Sequence, residues 1–164
     1  MANPKPSPGE TLAQHYFTDP STFEEETQKI FRDRWLFVER ASTLKNVGDY
    51  VSVDLEGEGL LAVRDREEAI RVFYNVCRHR GTRLCTEPSG NCGKVITCPY
   101  HAWSYGLDGS LVGAPHMEET TGFNKADFPL IPPAQATWEG NVFVHIGENP
   151  EPFEVAYVPV LTKF

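Results

Sequence analysis

The amino-acid sequence predicts a mainly β domain: antiparallel strands in a small sandwich or barrel, with one helix ahead of them and a loop-rich insert between them. Three observations lead there. Short runs rich in Val, Leu, Ile, Phe and Tyr recur at close spacing, several with the two-residue alternation of a half-buried strand. Turn residues separate them, and 13 Gly and 13 Pro suit a chain of many turns better than a helix bundle. Residues 75 to about 118 then abandon the pattern. They hold all four cysteines, many glycines and little periodicity, as a segment does when a function or a metal orders it.

In chain order, residues 1–14 read as a flexible lead-in, Pro-rich from Met1 to Gly9. A helix is expected to begin near Asp19, whose carboxylate can cap free amides, with Pro20 at the first helical position. Ser21 and Thr22 are alternative caps, each with Glu three residues later. Phe23, Thr27, Ile30, Phe31 and Arg34 share one face, and the helix is expected to end near Asp33. Strands follow over Trp35–Glu39, Tyr50–Leu55, Leu60–Arg64 and Ala69–Tyr74, with a hairpin turn over Glu56–Gly59. After the insert, strands resume at Ala134–Trp138 and Asn141–Ile146 around the tight turn Glu139-Gly140. The tail from Glu148 contains three prolines and no clear element. The predicted division is a lead-in (1–14), one domain (15–150, its metal-binding part about 75–118) and a tail or truncated linker (151–164).

A chain of 164 residues fits one domain and can bury a core without staples. Its net charge of −8 argues against a nucleic-acid partner, since phosphate binding needs a basic surface. An acidic face could dock a basic patch on a partner, but simple solubility is the preferred reading. No apolar run approaches the roughly 20 residues of a membrane span, and the start lacks the apolar segment of a signal peptide. A cytoplasmic protein is expected. In that reducing compartment, cysteines clustered with histidines point to a metal rather than a disulfide scaffold.

The chemistry lies in Cys77-Arg78-His79-Arg80-Gly81 and Cys98-Pro99-Tyr100-His101. The spacing is C-x-H, eighteen residues, then C-x-x-H. Two such loops can supply two thiolates and two imidazoles to one site. Tetrahedral zinc could use the same set. Zinc fingers, however, group ligands of one type, whereas here each loop offers one Cys and one His. A Rieske-type [2Fe–2S] cluster requires that mixture, with both cysteines on one iron and both histidines on the other. Cys77, His79, Cys98 and His101 are therefore the expected ligands, with a structural zinc module as the competing reading.

The flanks sharpen this. The segments Cys77 to Leu84 and Cys98 to Gly109 resemble the Rieske domain of ring-hydroxylating oxygenase α subunits. The likeness extends from about His15 to about Pro150 and includes Tyr16-Phe17-Thr18-Asp19, Gly48-Asp49-Tyr50, Phe73-Tyr74-Asn75 and Gly113-Ala114-Pro115. That group includes dioxygenases of aromatic rings and monooxygenases of quaternary amines. The resemblance implies a Rieske-type β-sandwich with a loop-rich cluster-binding part. It also implies a ferredoxin or flavin reductase as electron donor and an oxygenase catalytic domain as acceptor. Such oxygenases activate O₂ at a mononuclear iron in a C-terminal domain, typically with an H-x₄-H element. This chain has no such pair, so any catalysis is expected to lie outside it. A stand-alone Rieske ferredoxin is the alternative, although such carriers usually lack the Tyr16–Trp35 preamble.

Residues around the ligands also carry expectations from the resemblance. Respiratory Rieske proteins join their loops by a disulfide at the places that Thr82 and Tyr100 hold here, and have a Ser where this chain has Trp103. Tyr105 matches their hydrogen-bonding Tyr. Fewer hydrogen bonds to sulfur predict a potential toward the low end of the roughly −150 to +300 mV Rieske range. Arg80, Trp103 and Tyr105 are thus expected to line the cluster. Arg78 and Arg80 either steer a partner or, as preferred, balance an anionic cluster. Ala102 departs from the usual Gly, and its methyl is expected to crowd the second ligand loop. Cys85 and Cys92 could pair, but two free thiols are expected. His15, His116 and His145 are read as surface or packing residues, and Trp35, Trp138 and Phe143 as core.

Overall fold

A computed structural model describes residues 9–117 and 119–163. The expected lead-in thus lies outside the described residues as far as position 8. Among the described residues, ten strands form three antiparallel sheets. The first contains β1 (Leu36–Arg40), β10 (Asn141–His145) and β9 (Ala134–Trp138), in that order. The second runs β4 (Ile70–Tyr74), β3 (Glu58–Arg64), β2 (Asp49–Leu55) and β5 (Ser89–Asn91). The third runs β6 (Val95–Thr97), β7 (Ser104–Gly106) and β8 (Leu111–Gly113). The two long hairpins turn on Glu56-Gly57 and Glu139-Gly140, and all four of these residues have positive φ. That is the backbone a two-residue turn needs to match strand twist.

The middle sheet serves two cores, and β3 explains how. Successive side chains of a strand point to opposite faces. Leu61 and Val63 enter one core with Phe73, Cys77, Cys98, Trp103 and Tyr105. Leu60 and Ala62 enter the other with Val38, Val51, Val72, Val142 and Val144. All four of these β3 residues are fully buried, so the strand reads as an apolar run rather than a clean alternation. The second core packs the sandwich. The first core is the floor of the metal-binding part, which is how the fold positions that part.

The amino-terminal helix departs from expectation. Asp19 caps as expected, accepting from Ser21 N at 2.9 Å, and α2 begins at Pro20. A short helix, α1 (His15–Thr18), precedes it. α2 runs over Pro20–Glu26, and the chain then widens into a π-turn over Thr27–Phe31, with Arg32 N donating to Thr27 O at 2.9 Å. The predicted apolar face is not buried: Phe23 is 59% and Ile30 49% exposed. With no core beneath it, tertiary packing does not hold the pattern as one continuous α-helix.

The tail carries two short helices that were not expected, α3 (Phe153–Ala156) and α4 (Val158–Leu161). Phe153 and Tyr157 pack against Phe143, and Trp35 Nε1 donates to Glu151 O at 2.9 Å. Phe143 is buried as expected, whereas Trp35 and Trp138 are only half-buried. His145 is buried and accepts from Gly147 N, while His15 and His116 are exposed, in line with the packing and surface roles expected. Among the described residues, no helix is long and apolar enough to cross a membrane.

Candidate metal centre

Two turns at the edge of the first core present the expected ligands. In the first, Gly81 N donates to Cys77 O at 3.0 Å and Cys77 N to Thr82 O at 2.8 Å. A bridge between Val76 and Arg83 closes its base. In the second, between β6 and β7, Ala102 N donates to Cys98 O at 3.1 Å and Cys98 N to Trp103 O at 2.8 Å. Cys77 and Cys98 are buried, and His79 and His101 are half-buried.

The turns meet through both residue types. The His79 and His101 rings lie 4.8 Å apart at 70°. Burial pushes the Cys77 thiol up, a hydrogen bond from Tyr105 opposes this, and the neighbouring Cys98 adds to the rise. His79 shifts down, through burial first and then the charges of His101 and Arg80. The shift favours the neutral imidazole that can bind a metal.

Tyr105, fully buried on β7, joins the parts. Its oxygen accepts from Arg78 N at 3.0 Å and lies 3.3 Å from Cys77 Sγ. With the backbone donor on its oxygen, the hydroxyl proton is available to the sulfur. Trp103 is 2% exposed and lies flat on His79, with centroids 4.8 Å apart and planes 9° apart. Arg80 is exposed, touching the site through its charge. Ala102, where the family resemblance leads one to expect Gly, stands in the second turn. It is exposed, and its departure from Gly falls on the backbone, at φ 58°.

Asn75, which the sequence marks only as part of the family likeness, holds the first turn in place. It is 1% exposed. Its side-chain oxygen accepts from Leu84 N and Cys85 N, both at 3.0 Å, and its nitrogen donates to Cys85 O at 2.7 Å and Ser52 Oγ at 3.0 Å. It therefore ties the approach to the first turn to the segment leaving it. The available signal was a polar amide closing an apolar strand two residues before Cys77. Cys85 is buried and Cys92 half-buried, and no disulfide joins them in this structure.

The donor set fits a two-iron cluster. His79 Nδ1 is buried and has no hydrogen-bond partner among the described residues, a costly state for a ring nitrogen unless a metal or another group engages it. Tetrahedral zinc gathers four donors about one ion. A [2Fe–2S] cluster asks for only a pair at each iron, and a Cys pair and a His pair are what the turns offer.

The Rieske [2Fe–2S] domain family matches residues 34–130. The chain belongs to that family. Its cofactor is accordingly the Rieske-type [2Fe–2S] cluster, and its role is electron transfer. The chain is 38% identical over 139 residues to the carnitine monooxygenase oxygenase subunit of Escherichia coli K12, covering 85% of this chain and 37% of the relative. A quaternary ammonium Rieske monooxygenase solved with γ-butyrobetaine superimposes with a TM-score of 0.82 at 34% identity, over 93% of this chain and 44% of that one. Naphthalene 1,2-dioxygenase from Rhodococcus bound to indole gives 0.79 at 32% identity, over 85% and 32%. The chain thus spans little more than a third of the curated relative's length.

Proposed function

We propose that Cys77 and Cys98 hold one iron of the cluster and His79 and His101 the other, in a domain of about residues 15–150. The buried, unpartnered Nδ1 of His79 carries this reading. We further propose that the domain belongs to a hydroxylating oxygenase α subunit. There it would relay electrons from a ferredoxin or flavin reductase to a mononuclear iron in a catalytic domain. Of the aromatic and amine substrate classes, similarity to the carnitine monooxygenase subunit supports a quaternary amine for the whole protein.

When bound, the cluster supplies one-electron chemistry. The chain's own residues set its conditions. Tyr105 donates toward Cys77 Sγ and so stabilises negative charge on that sulfur. Burial of both cysteines excludes water from the sulfur side. The half-exposed His79 and His101 leave an edge that a partner can approach. Arg78 and Arg80, both exposed beside it, offset cluster charge and attract an acidic partner.

Metal and sulfide analysis tests the ligand reading. Iron and acid-labile sulfide in equal amounts are expected, and zinc without sulfide overturns it. A redox titration tests the surroundings: a midpoint toward the low end of the roughly −150 to +300 mV Rieske range is expected, and one near the top contradicts it. The mass of the native gene product tests the oxygenase assignment. A longer chain with a further iron site is expected, and a complete chain of about 164 residues favours a stand-alone carrier.

A further inference from the structure

The two histidines receive unequal support. His79 lies flat against Trp103, which is 2% exposed. Behind the indole, Phe123 and Phe128 set their rings across it at 5.7 Å each, and they stack on one another at 5.2 Å. His101 instead leans on Tyr100 at 3.7 Å, and Tyr100 is 61% exposed. One imidazole therefore rests on a buried indole backed by two half-buried rings, the other on a side chain in solvent.

An imidazole turns about a broad terminal torsion, and a hydrogen bond to one ring nitrogen usually fixes its plane. In His79 the nitrogen offered to the metal is Nδ1, so that bond would fall to Nε2. The flat contact with the buried indole, at an interplanar angle of 9°, fixes the plane independently of it. We propose that Trp103 is a positioning residue for His79, holding the ring in one plane so that Nδ1 is presented in one direction. Trp103 binds nothing itself and acts through His79. The inference rests on reading His79 as a cluster ligand.

The test compares wild-type holoprotein with Trp103→Leu, Trp103→Phe and Val144→Ala. The last removes methyl groups from the other core, away from the site. Each protein is assayed for iron and sulfide, titrated for midpoint potential, and examined by electron paramagnetic resonance in the reduced state. Trp103→Leu is expected to retain iron and sulfide, to shift in midpoint, and to give a broadened signal of two components. Trp103→Phe restores a single component, because a flat ring returns. Val144→Ala is less stable but has the wild-type signal and midpoint. An unchanged signal and midpoint in Trp103→Leu overturn the proposal. Should Trp103→Leu fail to assemble the cluster, Phe128→Leu decides, by removing a ring behind the indole. A second component supports the proposal, and a wild-type signal and midpoint overturn it. Wild-type protein without iron and sulfide would instead defeat the ligand reading, which keeps the two failures apart.

Discussion

The turns that carry Cys77 and Cys98 share one hydrogen-bond plan. In each, the residue four positions after the cysteine donates to the cysteine carbonyl, and the cysteine amide donates to the carbonyl five positions on. In each, the fourth residue has positive φ: 71° at Gly81 and 58° at Ala102. The histidine is placed differently, two residues after Cys77 but three after Cys98. The settings also differ. The first turn is anchored from below by Asn75, and its imidazole rests on buried Trp103. The second is anchored by the β6–β7 hairpin, and its imidazole rests on exposed Tyr100. The same backbone device thus serves a turn rooted in the core and a turn at its rim.

The largest effect should come from removing a ligand from either turn. Cys98→Ala and His79→Ala are each expected to lose the cluster and to loosen both turns, because metal binding and local folding are coupled. The cost should reach at least about 4 kcal/mol, or roughly 10 °C in Tm, measured by iron content and calorimetry. If both turns keep wild-type amide protection without metal, the cluster is not their organiser.

Asn75→Ala should follow, at about 3 kcal/mol, because two backbone amides and a carbonyl lose their buried partner. Hydrogen exchange should rise in the first turn and at Leu84–Cys85 before it rises in the second. Equal loss in both turns would mean that their anchoring is not separate.

The connection between the turns gives a pH test. Burial first, and then the neighbouring Cys92, push the Cys85 thiol up to about 11. An unfolded thiol ionises near about 8.5. Between those values the folded chain keeps a proton that the unfolded chain releases. The contribution is therefore fully present below about 8.5 and is lost as pH rises toward 11, by roughly 3 kcal/mol at most. Cys85→Ala should flatten this part of the alkaline decline in denaturant unfolding. An identical slope in the variant refutes the assignment.

The smallest effects sharpen the comparison most. A Cβ at Gly81 would meet nothing within 4 Å, so Gly81→Ala costs only the left-handed backbone, about 1 kcal/mol. Ala102→Gly should gain up to about 1 kcal/mol for the same reason, partly offset by added freedom in the unfolded chain. Chemical denaturation should give opposite signs. Equal signs would show that the two positions are not equivalent.

The strands were legible where alternation or apolar runs were long enough, as over 49–55 and 58–64, and where a Gly marked the turn. The strands β5 to β8 were not, because three residues cannot display a period. The amphipathic pattern over 23–34 predicted one continuous helix, which widens at Thr27–Phe31 and leaves Phe23 and Ile30 exposed. A pattern shows which side could be buried, not whether anything covers it. The candidate ligands were legible because their spacing is local to each turn. The flat contact of Trp103 on His79 and the bonds of Asn75 were not, since they depend on how two distant segments meet. Ala102 was singled out by the family resemblance, which leads one to expect Gly there, but its φ of 58° is visible only in the structure.

In the proposed centre, one histidine from each turn binds the same iron. Pulsed paramagnetic resonance on the reduced protein, grown with ¹⁵N-labelled histidine, tests it most directly. Two distinct histidine nitrogen couplings are expected in the wild type, with loss of the second when His101 is replaced by Cys. One coupling, or none, in the wild type would contradict the account.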